Sequence, residues 1–162
     1  MTAGLGSPLF DTAVGDLPNV FARHVECAVA ASVHEALAML GSGRVDALLV
    51  IDHGAAYALT RGDFERVLPS PATALARHEI RELLGRLAVR HALRAPARAV
   101  RADASLGDAV GALRDGDGRP IVVLADAGVM GVITAQSLLA AIAGDGTARG
   151  SAEPASMAAR TV

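Results

Sequence analysis

Two stretches of this chain, Ser32 to Leu68 and Ser105 to Ile142, run through the same succession of signals, and that internal duplication constrains the fold more than any other feature. SVHEALAML, GSGRVD, ALLVID, HGA, AYALT and RGDFERVL in the first stretch correspond to SLGDAVGAL, RDGDGR, PIVVLA, DAG, VMGVIT and AQSLLAAI in the second. Ser105 lies 73 residues after Ser32 and Thr134 lies 74 after Thr60, so the copies align with one extra residue near the second turn. Whatever one copy folds into, the other should repeat.

Each copy opens with apolar residues at i, i+3, i+4 and i+7, which is the spacing of one helix face. These are Val33, Ala36, Leu37 and Leu40 in the first copy, and Leu106, Ala109, Val110 and Leu113 in the second. Ser32-x-x-Glu35 and Ser105-x-x-Asp108 supply matching N-terminal caps. Leu48 to Ile51 and Ile121 to Leu124 are short β-branched-rich runs bounded by turn residues, as buried strands are. Turns at Asp52-His53-Gly54 and Asp126-Ala127-Gly128 lead into second strands ending at Thr60 and Thr134.

Final helices should then face the core with Phe64, Val67 and Leu68, or with Leu138, Leu139 and Ile142. Extended segments at Val25 to Ala30 and Arg98 to Ala102 complete a β-α-β-β-α unit, preceded by short lead-in helices at Val14 to Leu17 and Val89 to Ala92. The organisation expected is an N-terminal segment (1–13), a first repeat (14–70), a connecting helix (71–87), a second repeat (88–143) and a poorly ordered tail (144–162). The tail has turn formers, few large apolar residues and no periodicity.

Composition removes several classes of function. With 52% hydrophobic and 20% charged residues over 162 positions, the chain can bury a full core. A net charge of -2 gives no global pull towards nucleic acid or an anionic membrane. Three Phe, one Tyr and no Trp cannot build a base-stacking groove. Every basic residue is Arg, which reads as coding bias. The single Cys27 forms no internal disulfide, no apolar run is long enough to cross a membrane, and Met1 to Phe10 lacks the features of a signal peptide, so a cytoplasmic protein is expected.

A tandem β-α-β-β-α repeat whose strand pair closes on two apolar residues, Thr and then a helix resembles the paired CBS domain, or Bateman module, over about Val14 to Ala143. The segment Ala58-Leu59-Thr60-Arg61-Gly62-Asp63-Phe64 is similar to the family's strand-to-helix signature, with Gly131 to Leu138 as its second-copy counterpart. The resemblance implies an α/β (α+β) fold of two units packed about a pseudo-twofold axis with two clefts between them. It also implies homodimers, no covalent chemistry, and an adenine nucleotide (AMP, ADP or ATP) or adenosyl ligand. By the same resemblance Asp63 would hold the ribose hydroxyls and Thr60 a phosphate or ribose oxygen, with Arg61 beside it and Thr134 in the second copy.

The chemistry suits these roles, because a carboxylate accepts both protons of a cis-diol and a guanidinium adds a charge-assisted bond to phosphate. Ser137 replaces the expected second-copy acid, and Tyr57 stands where the family has glycine, so the second cleft should be weakened and the first crowded by a ring. Thr60-x-x-Asp63 also fits a helix cap that needs no ligand, and the sequence leaves both readings open.

Other residues carry less. His24, His34, His53, His78 and His91 lack metal-ligand spacing, and Cys27 reads as a small buried hydrophobe. Gly41-Ser42-Gly43 and Gly116-Asp117-Gly118 follow helices and read as helix stops. Arg86, Arg90, Arg94, Arg98 and Arg101 form a solvated face, a dimer rim or a polyphosphate-facing rim. The expectation is therefore a regulatory sensor module acting on an unidentified protein. The alternative is a ligand-free dimerising scaffold with degenerate clefts.

Overall fold

The computed structural model describes residues 8–17 and 19–144, so most of the expected tail lies outside the described residues. Two three-stranded sheets form the frame. The first has the order β1 (His24–Glu26), β2 (Ala47–Asp52), β3 (Ala55–Leu59), with β1 parallel and β3 antiparallel to β2. The second repeats it as β4 (Arg98–Arg101), β5 (Ile121–Ala125), β6 (Gly128–Ile133). Helix α1 (Val33–Gly41) connects β1 to β2, and α2 (Arg61–Phe64) follows β3. Helix α3 (Arg77–Arg86) joins the units, α4 (Leu106–Asp115) connects β4 to β5, and α5 (Ala135–Ile142) follows β6.

The extra residue of the second copy is absorbed within β6. Pairing runs Val123 to Gly131 and then Leu124 to Val129, so Met130 has no opposite residue and bulges out, 45% exposed. In the first copy Asp52 pairs with Ala55 across a two-residue loop. His53 (φ 49°) and Gly54 (φ 79°) both adopt the left-handed region that such a tight hairpin requires.

Period-two alternation on the strands assigns each side chain to one of two layers. Leu48, Val50 and Leu59 point into a core with Val33, Ala36 and Phe64, while Ala47, Leu49 and Ala58 point the other way, onto Val122 and Val132 of the second sheet. Both faces of β2 and β5 are therefore covered, which is why their sequences are continuous apolar runs. Ile121, Val123 and Ile133 complete the second helix-side core with Leu106, Ala109, Leu113 and Leu138.

The lead-in segments are short 3-10 turns, Val14–Asp16 and Val89–Ala92, and each packs on the opposite unit. Val14 and Val20 lie in the core of the second unit, whereas Val89 and Ala92 lie in the core of the first. Backbone bonds fix the exchange. Val14 and Gly15 donate to the carbonyls of Ala104 and Ala102 at 2.8 and 2.9 Å, while Val89 and Arg90 donate to those of Ala31 and Val29 at 2.8 and 3.1 Å.

That exchange also corrects β1, expected to continue to Ala30. It ends at Glu26 because residues 28–31 turn to present the carbonyls of Val29 and Ala31 to the opposite lead-in. The final helices are corrected as well. Helix α2 is one turn, after which Val67 and Leu68 pack on the core without regular helix. On α5, Leu138 and Ala141 form the inner stripe, so Leu139 (66%) and Ile142 (38%) are exposed rather than core-facing. The connecting helix is confined to Arg77–Arg86.

Cys27 is buried beside the end of β1, and burial pushes its thiol pKa up. Ser32 donates to Glu35 from both its N–H (3.0 Å) and its hydroxyl (2.9 Å), which holds that carboxyl below its usual range. A lowered native pKa means stabilisation that is present above the unfolded value, about 4.3, and lost as pH falls through the native one. The stability difference between the protein and Glu35→Gln should be constant above about pH 5.5 and shrink below about pH 4, as checked by urea titrations across that range.

Gly131 is fixed by a neighbour rather than by its own backbone. A Cβ there would lie 2.4 Å from Cδ1 of Phe21. Gly131→Ala should cost about 1–3 kcal/mol through overpacking, and the cost should fall in a Phe21→Leu background, as a double-mutant cycle in urea would show.

Candidate functional site

The end of β3 and the end of β6 deliver Thr60 and Thr134 to a cleft of about 540 Å³ shared by the two units. From the first unit it is lined by Leu40, Val45, Asp46 and the Thr60–Asp63 turn. The second contributes the loop Asp117–Pro120 together with Thr134, Ala135 and Gln136. The four residues singled out from the sequence, Thr60, Arg61, Asp63 and Thr134, thus stand around one hollow.

Asp63 divides its work between two directions. Its Oδ2 accepts from the Thr60 N–H at 2.8 Å and from the Thr60 hydroxyl at 3.2 Å. Its Oδ1 faces Arg119 of the second unit, with Nη2 4.0 Å away, and the side chain is only 12% exposed. The cap is one-sided, because the Asp63 N–H donates to the Thr60 carbonyl at 3.1 Å. A carboxylate has about four acceptor positions, of which these cap bonds take two.

Ser137 is placed differently. Its hydroxyl accepts from the Thr134 N–H (3.0 Å) and donates to the Thr134 carbonyl (3.0 Å), while its own N–H donates to the Thr134 hydroxyl (3.1 Å). The helix terminus uses both of its hydrogen-bonding capacities, and Ser137 does not line the cleft. Helix α2, at four residues, is too short to focus a macrodipole on an anion at Thr60.

Arg61 is exposed at the cleft wall and makes no ion pair among the described residues. Asp46, on the same wall, is gripped by Arg23. Nε donates to Oδ2 at 2.9 Å, Nη2 to Oδ1 at 2.7 Å, and the Arg23 N–H also reaches Oδ2 at 3.2 Å. The hydrogen bond to Asp46 raises the already high pKa of Arg23. Arg23 also donates to the Gly43 carbonyl at 3.0 Å, tying the wall to the turn after α1.

Tyr57 does not crowd the cleft as expected. Alternation along β3 turns Ala56 and Ala58 to the inter-sheet seam and Tyr57 to the helix-side core, where it packs with the Leu48 and Phe64 group. Arg86, Arg90, Arg94, Arg98 and Arg101 are exposed away from the cleft lining, Arg86 paired with Glu82 and Arg101 with Asp103 and Asp126. Among the described residues no group of three or more His, Cys, Asp or Glu could hold a metal ion, and no helix is long and apolar enough to cross a membrane.

Sequence reasoning missed Arg119, Asp117 and Gln136. The first two sit in a turn that reads as a helix stop, and Gly116 does cap α4 while Asp117 (φ 55°) and Gly118 (φ 74°) reverse the chain. The loop's second role depends on the other unit lying opposite.

Fold and cleft define a two-unit βαββα module with a polar hollow between the halves. Residues 89–144 match the CBS domain family model. No curated protein matches the chain. Among solved structures, a CBS-domain protein of unknown function from Kribbella flavida is similar at 18% identity with a TM-score of 0.62, over 78% of this chain and 96% of that one. A CBS-domain protein from Agrobacterium tumefaciens matches at 18% identity and TM-score 0.61, over 81% and 99%. One of unknown function from Bacillus anthracis matches at 15% and 0.62, over 85% and 96%. The second unit thus matches the CBS domain family model, and the chain as a whole has the fold of CBS-domain proteins.

Capping alone gives Asp63 a measurable structural role. Asp63→Ala should lower stability without any ligand by about 1 kcal/mol, in line with the loss of other helix caps, read from the urea midpoint at constant slope.

Proposed function

We propose that this protein is a non-catalytic regulatory module that binds an adenine nucleotide or adenosyl metabolite in the cleft between its two units. The observation carrying this reading is Asp63, which holds its own helix turn with Oδ2 and still presents Oδ1 to a hollow shared by both halves. Two acceptor positions remain for a ribose cis-diol, so capping and sugar binding are compatible in one carboxylate. Arg61 and Arg119 stand on opposite walls as donors for a phosphate. Thr60 and Thr134 add hydroxyls, and Leu40, Val45 and Pro120 supply apolar surface for a base.

Occupancy would act by favouring one setting of the paired units, so the regulatory effect on an unidentified partner protein is bounded by the difference in ligand affinity between settings. Self-association into a homodimer and a cytoplasmic setting belong to the same reading.

Thermal unfolding with AMP, ADP, ATP and an adenosyl sulfonium tests it. A true ligand at 100 times its dissociation constant adds about 2.7 kcal/mol, or roughly 5–10 °C for a domain of this size. Asp63→Asn should abolish the rise. No shift with any of the four would leave the ligand-free dimerising scaffold as the better account.

A further inference from the structure

Positive charge is concentrated where the chain passes from one unit to the other. Residues 83–102 hold five Arg and one His and no Asp or Glu, in a chain whose net charge is -2. At the two ends of this stretch the charge is answered, Arg86 by Glu82 and Arg101 by Asp103 and Asp126. Between them Arg90, Arg94 and Arg98 are exposed and make no ion pair among the described residues.

Backbone contacts fix where these three stand. Arg90 donates its N–H to the Val29 carbonyl of the first unit at 3.1 Å, while Arg98 opens β4 and pairs with Ile121 of the second. Between them Leu93 packs on the first core and Ala97 on the inter-sheet seam, where its N–H donates to the Ala56 carbonyl at 2.8 Å. The apolar residues of the segment are spent inward and the guanidiniums are left to solvent. An occupant that meets Arg90 and Arg98 together spans the junction of the units.

The surroundings select the kind of anion. None of the exposed large apolar side chains lies between positions 90 and 98, so nothing there would anchor in a lipid layer. The segment has no aromatic residue on which bases could stack. Carboxylates on a protein segment need neither feature, since charge-assisted hydrogen bonds to guanidinium supply the attraction. Arg98 also touches the support of the cleft. A Cβ at Gly116 would lie 3.3 Å from Cδ and 3.5 Å from Nε of Arg98, so the arginine stem lies against that residue. Gly116 caps α4, and the next residue begins the cleft-lining loop Asp117–Pro120.

We propose that the segment from Arg90 to Arg98 is a docking strip for an acidic segment of a partner protein, and that Arg98 links the occupied strip to the cleft loop through Gly116. This gives the regulated partner its chemistry and so deepens the regulatory reading above, but docking itself requires no nucleotide.

Fluorescence anisotropy of a labelled oligoglutamate peptide with the full chain tests it, with an oligodeoxythymidylate of matched charge and anionic lipid vesicles as competing probes. The wild type should bind oligoglutamate more weakly as salt rises from about 0.05 to 0.2 M. Arg90→Gln, Arg94→Gln and Arg98→Gln together should weaken it at least about tenfold. Arg44→Gln, Arg77→Gln and Arg81→Gln together, which remove the same charge from exposed positions elsewhere, should weaken it less than about threefold. Occupancy should also slow amide hydrogen exchange at Asp117 and Gly118, whose N–H groups donate to the carbonyls of Arg114 and Leu113, and Arg98→Ala should lose that slowing. No binding of oligoglutamate, equal loss in the two triple variants, or tighter binding of the oligonucleotide or the vesicles overturns the docking strip. Exchange that does not slow, or slows equally in Arg98→Ala, overturns the link to the cleft. A chain that takes oligoglutamate but shows no thermal response to any of the four adenosyl compounds loses the nucleotide reading and keeps the strip.

Discussion

The exchange of lead-in segments between the two units is the constraint on which the rest of the structure depends. Val14 and Gly15 hydrogen-bond to the strand-to-helix link of the second unit, and Val89 and Arg90 do the same in the first. Each exchanged segment also places a fully buried valine in the foreign core. Neither helix-side core is complete without residues from the opposite side of the duplication. The units are joined by hydrogen bonds and by apolar burial together, so their mutual setting is governed by tertiary contacts and not by the linker alone.

The inter-sheet seam follows from that arrangement and from residue size. Ala47, Leu49, Ala58, Val122 and Val132 bring the two sheets together through mostly small side chains, with the ends of β3 and β6 emerging on the same cleft. The described residues contain no buried polar side chain, and the polar groups collect instead around the cleft. Asp46 is fixed by Arg23, while among the described residues Arg61 has no ion pair and Arg119 only a long one. Firm walls carrying weakly committed cations can accept an anionic group without first dismantling a salt bridge.

The copies have diverged where each touches something the other lacks. Gly131 accommodates the Phe21 ring, whereas Tyr57 at the aligned position fills the first core. Met130 is accommodated as a bulge because an extra residue in an antiparallel pair can leave the register on either side intact. Ser137 retains the helix turn that Asp63 also serves, but without a charge to spare for the cleft. Preservation of the fold and loss of one acidic contact are therefore separable, since a hydroxyl suffices for the first and not for the second.

Local chemistry was legible in the sequence. The Ser32 and Ser105 caps, the helix stops at Gly43 and Gly118, the strands around Leu48 and Ile121, and the extra residue before Thr134 all express interactions within a few positions of each other. Side-chain period and turn residues are enough to specify them. The early end of β1, the outward turn of Leu139 and the placement of Tyr57 depended on what packs opposite, so spacing alone misjudged them. The cleft went furthest beyond the sequence. Asp63 and Arg119 are 56 residues apart, and only the pairing of two sheets across a seam brings a helix stop of one copy to face the acid of the other. The sequence by itself determined the repeated unit, and the tertiary structure decided that both units share one hollow, because contacts between distant segments are set by the packing of whole layers and not by local propensity.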